Sequence, residues 1–159
     1  MTRRKGVFAG TFDPLTIGHM DIVLKSLKMF DDVVVAILIN PNKKAMFSEK
    51  QRLTLLQKAF KDYPNVKTLL HDGLLVDLLK AENTPFYIRG IRNSSDYDFE
   101  TLMYYTNSDM YKELITIYLP TSQKHLHVSS TLVRELIKFK ADVKQYIPAE
   151  VWEEFKKLI

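Results

Sequence analysis

No cysteine occurs among the 159 residues. Disulfides, a thiolate nucleophile and thiolate-held metals are therefore excluded, and a reducing compartment is compatible with the composition. Long apolar runs are missing as well. The longest unbroken one, Val33 to Ile39, is far too short to span a bilayer. The basic start Met1-Thr2-Arg3-Arg4-Lys5 leads into an apolar run that breaks at Gly10 and Asp13, a poor match to a signal peptide. A cytoplasmic protein with no membrane partner is the expectation. Charge of one sign is not concentrated either. The net charge is +4, with Lys and Arg spread along the chain rather than gathered in a stripe. That argues against a nucleic-acid partner and suits a small anionic ligand.

Several catalytic signatures are absent. There is no G-x-x-x-x-G-K-[ST] phosphate loop and no G-x-G-x-x-G after the first strand. No nucleophile elbow accompanies a Ser-His-Asp set. His19, His71, His125 and His127 lack metal-ligand spacing, so no protein-held metal is expected.

What is present is a regular alternation of strand and helix patterns. Gly6 to Ala9 reads as a strand, and from Gly18 the positions Ile22, Val23, Leu27 and Phe30 recur at helical spacing to about Asp31. The β-branched run Val33 to Ile39 suits a parallel strand buried on both faces. Ser48 with Gln51 is a capping-box pair for a helix to about Phe60. Val66 to Leu70, Pro85 to Ile88 and Leu114 to Leu119 are further strands. Helices are predicted over Leu74 to Ala81, over Asp96 to about Tyr111, and from Ser129-Ser130 through Phe139. A last helix begins at Pro148 and carries Trp152, Phe155 and Leu158. On the helix from Asp96, Phe99, Leu102, Met103, Thr106 and Met110 share one side. Glu100 and Asn107 share a face that reads as a solvated or interface stripe. With no linker, repeat or low-complexity tract, the pattern predicts one α/β domain over residues 1–159 with a five-stranded, mostly parallel sheet flanked by helices.

Ligands of such sheets bind beyond the carboxyl ends of the strands. The polar residues expected there are Thr11 and His19 after the first strand and Lys43 after the second. Leu74-Leu75 follow the third, Arg89 and Arg92 the fourth, and Ser129-Ser130-Thr131 the fifth. Taken singly, each has an ordinary explanation. His19 shares a stripe with Ile22 and Val23 and fits a satisfied core histidine; at a helix start it equally fits a phosphate donor. Ser129 fits a plain N-cap, although three hydroxyls exceed what one cap needs. Arg134 reads as either an exposed salt-bridge partner or a phosphate ligand, Lys43-Lys44 as a solvated loop, and Asp13 as the shaper of an Asp-Pro turn. Arg89-Gly90-x-Arg92 is harder to explain structurally, because guanidinium forks match phosphates.

Together these residues resemble a family. Gly10-Thr11-Phe12-Asp13-Pro14 with Thr16-x-Gly18-His19 is similar to the T/H-x-G-H signature of the nucleotidylyltransferase superfamily. Lys43-x-x-Met46-Phe47, Arg89-Gly90-x-Arg92 with Asp96 and Glu100, and Ser129-Ser130-Thr131 extend the match. In order and spacing, residues 5 to 159 resemble the bacterial phosphopantetheine adenylyltransferases. Ala9, Ile17, Phe99 and Thr131 stand where that family more often has Pro, Asn, Tyr and Ser.

The resemblance implies a Rossmann-like fold and a homohexamer. It also implies a Mg²⁺-dependent reaction in which ATP and 4′-phosphopantetheine give dephospho-coenzyme A and pyrophosphate. His19, Lys43 and Arg92 would be catalytic. ATP would be bound by Thr11, Phe12, His19, Gly90, Ile91, Arg92, Glu100 and the segment His125, Leu126, His127, Val128, Ser129, Ser130 and Thr131. The acceptor would meet Thr11, Lys43, Leu75 and Arg89. A sister adenylyl- or cytidylyltransferase, or a nucleotide sensor without activity, would use many of the same residues.

Overall fold

The computed structural model describes residues 3–159; Met1 and Thr2, which begin the basic run, lie outside them. The alternation is as the pattern requires. In chain order the elements are β1 (Lys5–Gly10), α1 (Ile17–Ser26), β2 (Asp32–Ile39), α2 (Glu49–Ala59), β3 (Val66–Asp72) and α3 (Leu75–Ala81). They continue with β4 (Phe86–Ile91), α4 (Ser94–Met110), β5 (Ile115–Pro120), α5 (Ser130–Lys138) and α6 (Trp152–Phe155). Every strand pair is parallel, and the order is β3-β2-β1-β4-β5. The chain starts in the middle of the sheet, builds β2 and β3 to one side, then crosses to build β4 and β5 on the other. Connections therefore leave β1 and β4 in opposite directions, which opens a crevice above their carboxyl ends.

The strands are apolar throughout because both faces are covered. Phe8, Val33, Val35, Ile37 and Ile88 point to one side, where they pack with Ile22 and Val23 of α1, Leu55 and Leu56 of α2, Val133 of α5 and Phe155 of α6. Val7, Ala9, Val34, Ala36 and Tyr87 point to the other, against Leu75, Leu78 and Leu79 of α3. Each such side chain stabilises the fold by about 1.5–3 kcal/mol when fully buried.

The structure departs from the sequence reading in four places. α1 begins at Ile17, because Thr16 caps it, and ends at Ser26 rather than near Asp31. β4 runs on to Ile91, held by pairing of Arg89 with Tyr118, Gly90 with Leu119 and Ile91 with Pro120 on β5. Arg89 to Ile91 are thus the last three residues of the strand, and only Arg92 lies beyond it. The final segment enters through a 3₁₀ turn, Ala149–Val151, before the short α6.

The fourth concerns which side of α4 is covered. Its apolar side faces outward, with Phe99 62% and Leu102 70% exposed, whereas Glu100 is 7% exposed and Asn107 is also buried. The solvated-stripe reading of Glu100 and Asn107 is therefore wrong. A buried carboxylate needs a partner, and Glu100 has one in Arg89.

Candidate active site

A cavity of about 680 Å³ occupies the crevice above β1 and β4. Its lining draws on the ends of β1, β4 and β5, the first turns of α1 and α5, and the loop after β2.

Thr16 is extended, with φ −125° and ψ 166°, and its hydroxyl accepts from the His19 backbone N–H at 3.4 Å. In return the Thr16 backbone N–H donates to His19 Nδ1 at 3.0 Å. This is a reciprocal capping box in which histidine takes the place usually held by Glu or Gln. Because Nδ1 accepts, the neutral ring carries its proton on Nε2. The His19 pKa is lowered to about 4, by burial first and then by Arg89 and Arg92. A neutral N–H donor therefore lines the cavity at physiological pH, next to the free amides of a helix start.

Phe12 supports that ring. Its backbone is left-handed, at φ 47°, a conformation costing a non-glycine residue about 1 kcal/mol or more. Its buried side chain meets His19 edge-on at 5.0 Å and Phe8 at 5.4 Å.

Two arginines frame the opposite wall. Arg89 donates through Nη1 to the Ala9 carbonyl at 2.7 Å and through Nη2 to Glu100, while its buried Nε has no partner. Arg92 grips Asp96 with two donors, Nε at 3.0 Å and Nη2 at 3.2 Å. Burial pushes the Asp96 carboxyl up, but the Arg92 hydrogen bonds outweigh it and the group lies below its ordinary value. Between the arginines, a Cβ on Gly90 would come within 2.8 Å of Ile22 Cγ1, so glycine is what lets α1 approach β4 closely.

The three hydroxyls at α5 have separate partners. Ser129 is the N-cap and accepts from Leu132 N–H at 3.1 Å, whereas Ser130 donates to the Pro14 carbonyl at 2.7 Å. Thr131 accepts from Arg134 Nη2 at 3.1 Å, and Arg134 Nη1 donates to the Asp13 carbonyl. Arg134 lines the cavity, and its ion-pair partner is the buried Asp13 at 3.8 Å rather than a surface carboxylate. Its signal in the sequence was spacing: one turn after a capped helix start, it shares the capped end.

Of the residues singled out in the sequence, Thr11, Phe12, His19, Lys43, Arg89, Gly90, Arg92 and Glu100 all line the cavity, as do Val128, Ser129, Ser130 and Thr131. Ile91, Leu75, His125, Leu126 and His127 do not. Leu75 is buried in the second core with Leu78 and Leu79. His125 ends a 3₁₀ turn, Gln123–His125, with a buried Nδ1 that has no partner, and burial leads the causes that lower its pKa. His127 stands edge-on to Tyr146 at 6.0 Å. One contributor had no visible signal. Asp21 on α1 accepts from Ser122 N–H at 2.9 Å and from its hydroxyl at 2.7 Å, tying down the β5–α5 connection across 101 residues of chain.

Among the described residues no group of three or more His, Cys, Asp or Glu could hold a metal ion. Of the carboxylates lining the cavity, Asp96 and Glu100 are engaged by arginine and Asp13 by the Met46 and Phe47 amides.

An all-parallel α/β sheet with a cavity at its switch point, lined by hydroxyls, helix starts, cations and a neutral His donor, is an arrangement suited to holding phosphates. The cytidylyltransferase-like family matches residues 7–136. Among curated relatives, phosphopantetheine adenylyltransferase of Clostridium perfringens (strain SM101 / Type A) is 35% identical, covering 98% of this chain and 95% of the relative. That of Campylobacter fetus subsp. fetus is 37% identical, covering 94% of each. That of Flavobacterium psychrophilum is 39% identical, covering 93% and 97%. A Vibrio parahaemolyticus crystal structure provisionally described as a nicotinate-nucleotide adenylyltransferase superposes with a TM-score of 0.72. At 20% identity, covering 98% of this chain and 99% of that one, it speaks for the fold alone. The chain belongs to the cytidylyltransferase-like family and, within it, to the phosphopantetheine adenylyltransferases.

Proposed function

We propose that the protein transfers AMP from ATP to 4′-phosphopantetheine, giving dephospho-coenzyme A and pyrophosphate. The observation that carries this reading is the character of the cavity wall. It offers hydrogen-bond donors and cations from several separate strand ends, and its carboxylates are already paired. Such a wall suits a reaction whose nucleophile arrives as an anion. A phosphate oxygen of the acceptor forms the new bond to the α-phosphorus of ATP while the bond to the bridging oxygen of pyrophosphate breaks. No base is needed, and what remains is alignment and neutralisation of the charge growing on the equatorial oxygens.

His19 would donate from Nε2 to that charge, with Lys43 and Arg92 adding cationic charge. Thr11 and the first turn of α5 would hold phosphate oxygens. Arg89 and Leu75 would serve the acceptor, with Glu100 orienting Arg89 through their ion pair. Glu100 would also face the nucleotide, and Ile91 with the segment His125 to His127 would serve the nucleotide end. Mg²⁺ would arrive on the triphosphate, held by phosphate oxygens and water, and would supply charge neutralisation. Paired Asp96 and Glu100 fit a cation delivered in that way rather than one caged by the protein.

The outward apolar face of α4, with Phe99, Leu102, Met103, Tyr105 and Met110 exposed, supports assembly into the homohexamer that the resemblance implies. No helix among the described residues is long and apolar enough to cross a membrane. A cytoplasmic location is our assignment.

Pyrophosphate release with ATP and a panel of acceptors tests the function. Turnover with 4′-phosphopantetheine is the expected result. Turnover only with nicotinate mononucleotide, or ATP binding with no turnover on any acceptor, would overturn it. Light scattering of the eluted protein tests the hexamer.

A further inference from the structure

Lys43 sits on an exposed loop, residues 40–47, and its usefulness in the cavity depends on what holds that loop. Its first half has only local bonds: Asn42 N–H to Asn40 Oδ1 at 3.0 Å and Lys43 N–H to the Asn40 carbonyl at 3.1 Å. Its second half is bolted to the turn between β1 and α1. Asp13, 3% exposed, accepts from Met46 N–H at 2.8 Å with one carboxylate oxygen and from Phe47 N–H at 2.9 Å with the other. From the opposite side Arg52, a 5% exposed residue on α2, donates through Nε to the Phe47 carbonyl at 3.1 Å. Its Nη1 donates to the Thr11 carbonyl at 2.8 Å. A buried guanidinium is costly to desolvate, and this one spends its donors on the carbonyls of two segments that both line the cavity region.

We infer that Arg52, together with Asp13, is a positioning residue for the reaction, a two-sided clamp that sets where Lys43 stands relative to Thr11 and His19. The inference rests on the proposed adenylyl transfer. Both Asp13 carboxylate oxygens are turned to the loop, each accepting one of its amides. Arg52 reaches both segments at once only because its fork presents donors in fixed directions. A lysine in its place offers one ammonium that cannot span the two carbonyls. Misplacing a cation by about 1 Å is enough to cost a reaction as much as 100-fold.

The test is a double-mutant cycle on the full chain, read by pyrophosphate release and by trypsin cleavage at Lys43 and Lys44. Arg52→Gln is expected to lower kcat about 10- to 100-fold with the KM for ATP nearly unchanged. Added to Lys43→Ala, it is expected to lower kcat hardly further, since the two act through one group. Cleavage in the loop is expected to speed up under conditions where the variant remains globally folded. Arg52→Lys, an intermediate case, carries the cycle if Arg52→Gln does not fold. A full Arg52 penalty persisting in the Lys43→Ala background overturns the clamp, as does a loop cleaved no faster than in the wild type. Absence of wild-type turnover would instead sink the proposed function, and the cleavage arm would still decide whether the loop is clamped.

Discussion

The backbone N–H of Thr16 donates to Nδ1 of His19 at 3.0 Å, so a helix cap and the tautomer of a cavity histidine are specified by one hydrogen bond. Nδ1 is committed as an acceptor, and the proton of the neutral ring is on Nε2. Nitrogen-detected NMR of the free protein should show Nε2 protonated and Nδ1 bare. No titration of His19 is expected between about pH 5.5 and 8, because its pKa is lowered to about 4.

The same shift makes a stability prediction. Between about pH 6.5 and pH 4 the unfolded chain binds a proton at His19 that the folded chain does not, so stability falls as pH is lowered through that window. The loss is at most about 3 kcal/mol, reduced to the extent that the cavity admits water. Urea melts of the wild type and of His19→Gln at pH 7.5 and 4.5 measure it. The wild type should lose more than the variant.

Replacing His19 should separate binding from rate. His19→Ala keeps the α1 N-cap hydroxyl and is expected to fold. It should lower kcat by about 100- to 1000-fold, as loss of a transition-state donor does, while ATP affinity measured by calorimetry changes far less. Equal losses in both would assign His19 to ground-state binding.

Glu100 is predicted to matter first through Arg89. Glu100→Gln leaves that largely buried guanidinium without its carboxylate, at a cost of about 2 kcal/mol. Thermal melts should show the loss in the absence of any nucleotide. A variant as stable as the wild type but weaker in ATP binding would instead mean direct contact with the nucleotide.

At Gly90 the issue is space. An alanine Cβ would meet Ile22 Cγ1 at 2.8 Å, so Gly90→Ala should cost about 1–3 kcal/mol by overpacking. Measured in an Ile22→Ala background the Gly90→Ala penalty should be smaller, which a double-mutant cycle of unfolding free energies would show.

Local pattern alone determined a good deal of this protein. Alternating β-branched strands and capped helices gave a parallel α/β sheet, and each strand end named a candidate residue, because strand direction and period are properties of short segments. The capping box at Ser48 and Gln51 and the donors Thr11, His19, Lys43 and Arg92 were legible for that reason. Tertiary structure decided what depends on partners far along the chain. Glu100 looked like a surface residue until Arg89, on another element, supplied the charge that buries it. Arg134 could be read as a phosphate ligand or a surface ion pair, and only Asp13, 121 residues away, showed that it turns into the cavity. Amphipathic spacing grouped the apolar residues of α4 on one side but says nothing about which way that side turns. Asp21, Asp13 and Arg52 gave no warning of their bonds to distant backbone. A backbone N–H or carbonyl is the same at every position, so sequence carries no mark of which one a buried side chain will hold.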